Sequence, residues 1–99
     1  MATYVMLMKF INPTVESMKE ASAARAAGKR AAKALGITWK QQYLMMGEYD
    51  VMTILEAPDD ETIAKFALMG MTGTLTISTA RVFTESEADK LIKGLQPPG

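Results

Sequence analysis

Tyr49 and Asp50 stand side by side in the segment Met46-Gly47-Glu48-Tyr49-Asp50, and Trp39, Gln41, Tyr43 and Met45 occupy every second position just before it. A phenol and a carboxylate are raw material for proton transfer, and aromatic rings with an interleaved amide suit the wall of a small-molecule cleft. Lys9 and Arg81 are the cations of otherwise strand-like segments, able to hold an anionic ligand or to pair with Glu56 or Asp50. The catalogue ends soon. The chain contains no His and no Cys. Their absence removes the commonest general base, the commonest transition-metal ligand, the thiol nucleophile and any disulfide framework.

The remaining candidates have plainer readings. Nine methionines include Met6, Met8, Met45, Met46 and Met52 on apolar runs. Thioethers can bind Cu(I), but with no His or Cys to complete a site they read as polarisable gap-fillers. Asp59, Asp60 and Glu61 suit the first turn of a helix better than a divalent cation site. Arg25, Lys29, Arg30 and Lys33 fall late in a helix, where their charge complements the dipole on a solvated face. No metal or cofactor is expected.

Composition narrows the class further. Ninety-nine residues, 48% hydrophobic and 22% charged, predict a single globular domain over residues 1–99. A chain of this size buries only about 60–65% of its unfolded surface, so it gains from a partner. Eleven basic and eleven acidic side chains cancel, which leaves no electrostatic footprint for nucleic acid or an anionic membrane. The apolar start of the chain is interrupted by Lys9 and Asn12-Pro13 and lacks the frame of a signal peptide. No run is long enough to span a membrane, and a cytoplasmic protein is the default expectation.

The elements that must position these side chains follow from periodicity and punctuation. Thr3 to Ile11 reads as a strand, stopped by Asn12-Pro13. Thr14 to Leu35 reads as one Ala-rich helix ended by Gly36, with Met18, Ala21, Gly28, Ala31, Ala32 and Leu35 on one face. Ile37 to Met46 and Tyr49 to Ala57 read as a hairpin turning at Gly47-Glu48. On a strand, neighbouring side chains point to opposite faces, so Tyr49 and Asp50 do not form a facing acid–base pair. Asp59 caps a second helix whose buried face carries Ile63, Phe66, Ala67 and Met69 or Gly70. Thr74 to Phe83 reads as a strand, and Thr84 to Glu87 as a capping box opening a short helix to about Leu95.

That order is the ferredoxin-like βαββαβ motif with a short C-terminal helix, an α+β fold on a four-stranded antiparallel sheet. Right-handed crossovers place both long helices on one sheet face. The first strand offers Tyr4, Met6, Met8 and Phe10 on one parity and Val5, Leu7, Lys9 and Ile11 on the other. A sheet with one wet face alternates apolar with polar. This strand hardly does, so a second copy is expected to cover the helix-free face.

Met46-Gly47-Glu48-Tyr49-Asp50, followed in register by Glu56-Ala57-Pro58-Asp59-Asp60-Glu61, resembles the GYD domain family. Thr3-Tyr4-Val5, Ala64-Lys65-Phe66-Ala67-Leu68, and Arg81 with Phe83-Thr84-Glu85 look like it as well, so the resemblance spans essentially the whole chain. The Met- and Gly-rich segment Met69 to Gly73 departs from the usual helix end. The resemblance implies a bacterial or archaeal protein of the dimeric α/β-barrel type, in which two such sheets face each other. It implies no catalytic residues.

The reading these residues favour is a non-catalytic homo-oligomeric module that binds a small molecule, held between sheets, or another protein. Its candidate ligand-binding residues are Trp39, Tyr43, Tyr49, Asp50 and Arg81. The alternatives are a cofactor-free enzyme of monooxygenase or isomerase type and a structural assembly subunit. Such enzymes rely on a polar cleft, and Asn12, the single Asn, stands at the start of a helix.

Overall fold

The computed structural model describes residues 1–98. Its elements are β1 (Ala2–Phe10), α1 (Val15–Ala23), α2 (Arg25–Ala34), β2 (Thr38–Leu44), β3 (Val51–Ala57), α3 (Asp60–Met69), β4 (Leu75–Val82) and α4 (Glu85–Lys93). The strands form one antiparallel sheet in the order β2-β3-β1-β4. This is the ferredoxin-like arrangement that the sequence order predicts.

The register divides the side chains between two faces. Tyr4 pairs with Leu55 and Met6 with Thr53, and these four, together with Ala57, are buried against Ala32 of α2 and Ile63 and Ala67 of α3. Both helices therefore cover the same face. Val5, Leu7, Met52, Ile54, Ala80 and Val82 lie on the other parity, which no helix among the described residues covers.

Local chemistry accounts for the ends of the elements. Asn12 turns the chain out of β1 at φ 45°, a conformation Asn tolerates better than most residues. Thr14 and Ser17 exchange backbone and side-chain hydrogen bonds at the start of α1. At the end of α2, Gly36 takes φ 77°, and the N–H groups of Ile37 and Gly36 donate to the carbonyls of Ala32 and Lys33. This is a Schellman closure, and it needs the left-handed residue that glycine supplies. Asp59 caps α3 by accepting from the Thr62 N–H at 2.8 Å. Thr84 and Glu87 form the expected capping box.

Three expectations are corrected. The long first helix is two, interrupted at Ala24, where ψ rises to −10°. α1 buries no residue, so no packing holds it in line with α2. Met18, expected on a packing face, is exposed, and of the alternatives Met69 and Gly70 it is Gly70 that is half-buried while Met69 is exposed. Finally, Trp39 does not share a face with Gln41 and Tyr43. A bulge places Trp39 opposite Leu55 on the helix side, whereas Gln41 and Tyr43 face Ile54 and Met52 on the open side.

The shape is a slab of 57 × 31 × 19 Å. Its radius of gyration, 15.8 Å, exceeds the about 13 Å of a compact chain this long. α4 likewise buries nothing, and its Leu91 and Ile92, with Leu95 just beyond it, are exposed.

Candidate functional site

The five residues singled out in the sequence fall in three places. Trp39 and Tyr43 line a cleft of about 390 Å³ along the edge strand β2, bounded by Arg25 and Lys29 of α2 and by Leu44 and Val51. Tyr49 and Asp50 belong to the connection between β2 and β3. Arg81 lies on β4 at the opposite edge of the sheet.

The β2 cleft is organised from the core outward. Thr53 is 1% exposed, and its hydroxyl accepts from the Gln42 amide nitrogen at 3.0 Å. That contact turns the Gln42 carbonyl oxygen outward, where it accepts from Arg25 Nε at 2.6 Å. Lys29, one helical turn beyond Arg25, sits with Nζ 5.7 Å from the centre of the Trp39 ring. A Cβ at Gly28 would be 3.8 Å from Trp39 Cζ3, so α2 approaches the indole closely. Lys40, the residue extruded by the bulge, pairs instead with Glu56 at 3.1 Å. No carboxylate belongs to the lining.

Asp50 is structural in its contacts. Its carboxylate accepts from the Phe10 N–H at 2.9 Å, its own N–H donates to the Met8 carbonyl at 2.8 Å, and its carbonyl accepts from the Met45 N–H at 2.7 Å. Gly47, at φ 114°, lies in a connection closed by the Met45–Asp50 backbone hydrogen bond, longer than the two-residue turn at Gly47-Glu48 that the sequence predicts, because the strands stop at Leu44 and resume at Val51.

At the other edge, a smaller cleft of about 290 Å³ is lined by Tyr4, Asp60, Ile63, Ala64, Thr79 and Arg81. The Tyr4 hydroxyl donates to Asp60 Oδ1. That hydrogen bond, then burial and the negative charge of Asp60, raises the pKa of the phenol above its ordinary value. The phenol therefore keeps its proton at neutral pH and is a poor base. Arg81 is tethered to the Thr3 and Val82 carbonyls, lies 4.3 Å from the centre of the Phe83 ring and meets Glu87 Oε2 at 3.8 Å. Among the described residues, no three His, Cys, Asp or Glu side chains converge as a metal site. No helix there is long and apolar enough to cross a membrane.

Sequence reasoning found Trp39 and Tyr43 but not the polar side of their cleft. Arg25 and Lys29 read as members of a solvated basic face. Their spacing of four residues around Gly28 was the available signal, since it puts both cations on one side of a helix that can approach a strand closely.

An open-faced antiparallel sheet with both core helices on one side defines the ferredoxin-like class. Within that class the chain belongs to the GYD domain family, whose pattern it matches over residues 4–92. No curated protein matches the sequence significantly. Among solved structures, it is similar to FFRP-DM1, at 19% identity over 84% of this chain and 100% of that one, with a TM-score of 0.56. The hypothetical protein PHS023 from Pyrococcus horikoshii aligns at 19% identity over 86% and 93% of the two chains, with a TM-score of 0.55. Muconolactone isomerase aligns at 18% identity over 84% and 90%, with a TM-score of 0.54. At these identities the likeness shows the fold alone.

Proposed function

We propose that the protein is a cytoplasmic, non-catalytic binding module built from a single domain. In this reading two or more copies associate sheet to sheet, in the manner of a dimeric α/β barrel, and take up a small molecule or a protein ligand. The observation that carries it is the helix-free face, where Val5, Leu7, Met52, Ile54 and Val82 are half-buried within one chain and covered by no element among the described residues. An apolar patch of this extent belongs against a partner rather than water. The slab shape supports the same reading, since a second sheet would supply the missing layer.

Light scattering of the unmodified protein at micromolar concentration tests it, with a dimer or larger species expected. A folded, stable monomer refutes the assembly. The enzyme alternative has its own test. Turnover of quinol-like substrates by the purified protein, lost on Tyr43→Phe or Arg81→Ala, would replace binding with catalysis.

A further inference from the structure

We propose that the cleft between α2 and β2 binds a small aromatic carboxylate, with its anionic group held by Arg25 and Lys29 and its ring against Trp39. The inference rests on the binding-module reading and adds the place and the class of ligand. Three features of the cleft converge on it.

The first is unbalanced charge. The side-chain ion pairs among the described residues join Lys40 to Glu56, Lys65 to Glu61 and Arg81 to Glu87. Arg25 and Lys29 are in none of them and share a cleft whose lining contains no acid. The second is preorganisation. Arg25 uses Nε on Gln42, whose amide is fixed in turn by the buried Thr53. The two terminal nitrogens of the guanidinium remain for an anion, the fork geometry that suits a carboxylate. A guanidinium anchored through two side chains to the core loses little freedom on binding.

The third feature is the apolar remainder of the wall. Trp39, Leu44 and Val51 stand on the helix side beside the cations, while the Tyr43 ring faces the open side, so the cleft offers an apolar strip directly next to a positive surface. A free inorganic anion would leave that strip unused. A planar ring bearing a carboxylate uses both, and about 390 Å³ lies within the range of small-molecule pockets.

Trp39 is the only tryptophan, so its emission reports on the cleft directly. The experiment titrates the intact protein with 2-naphthoate, with its neutral isostere 2-naphthamide and with inorganic phosphate. Trp39 emission is followed together with heat release, and light scattering is recorded on the same samples. Saturable binding of naphthoate is expected, weakened about tenfold or more by Arg25→Gln, the loss of one charge-assisted contact. Lys29→Gln weakens it too, whereas Lys65→Gln, remote from the cleft, leaves it unchanged. Naphthamide binding as tightly as naphthoate overturns the proposal, as does phosphate binding as tightly, an unaltered affinity in Arg25→Gln, or no saturable binding. An oligomer that fails to bind naphthoate refutes this inference alone, and a monomer that binds it refutes the assembly alone.

Discussion

Met6→Lys and Leu7→Lys place the same charge one residue apart in β1 and on opposite faces of the sheet. Met6 is 3% exposed in the core, paired across the strands with Thr53. A lysine there forfeits the burial of a large side chain, about 1.5–3 kcal/mol. It also strands an ammonium among Ile, Leu and Ala side chains at a cost of several kcal/mol more. Against a total stability of about 5–15 kcal/mol, little folded protein remains. Leu7 lies on the open face and is half-buried within its own chain. At most about a third of its burial energy is therefore still to be gained from a partner, and a twofold contact counts it twice, giving about 1–2 kcal/mol per dimer. Losing that weakens association about 5- to 30-fold, and desolvating the two ammonium groups weakens it further. Circular dichroism and light scattering together read both outcomes. Met6→Lys is expected to lose ellipticity, and Leu7→Lys to keep it while the particle halves in mass. If Leu7→Lys unfolds as Met6→Lys does, or leaves the assembly intact, the assignment of faces to core and partner is wrong.

Gly36→Ala forces a Cβ into the left-handed region at φ 77° and is expected to cost about 1–2 kcal/mol in urea unfolding, with the fold retained. Alkaline pH is expected to destabilise the fold through Tyr4. Its hydrogen bond to Asp60 makes the folded chain hold a proton that the unfolded chain releases. That contribution is complete below about pH 10 and is lost as pH rises through the higher folded value. Urea midpoints measured between pH 9 and 11 should fall less steeply in Tyr4→Phe. At the acid end, hydrogen bonds from Thr62 and Thr84 hold the Asp59 and Glu87 carboxyls below their ordinary pKa values. Their contribution is complete above the unfolded values, about pH 4, and is lost as pH falls through the lower folded ones, a loss that Asp59→Asn and Glu87→Gln should flatten.

The elements were legible because their punctuation is local. Asn12-Pro13, Gly36, Asp59 and the Thr84–Glu87 box each act within a few residues, and each stands where the sequence puts it. The choice of face was not legible in β1, where both parities are apolar and only packing against Ala32, Ile63 and Ala67 separates them. The bulge in β2 was hidden for a similar reason. Gln41 and Gln42 are identical in type, and which one faces Thr53 depends on pairing with β3. The cleft shared both difficulties. Arg25 and Gln42 are 17 positions apart and meet only when α2 lies along β2.

The extruded Lys40 makes pairing, rather than side-chain type, decide what β2 shows to each side. Before it, Trp39 points inward; after it, the strand is out of phase by one residue, so Tyr43 points outward and Gln42 inward. Deleting Lys40 would remove only the extra residue and leave a regular ladder, with Gln42 still opposite Thr53 and Tyr43 still opposite Met52, so the Arg25 anchor would survive. Closing the bulge at full length would instead reverse the frame, setting Gln41 on Thr53 and turning Tyr43 toward α2. In this strand one looped-out residue, rather than any ring or cation, chooses which glutamine reaches the core.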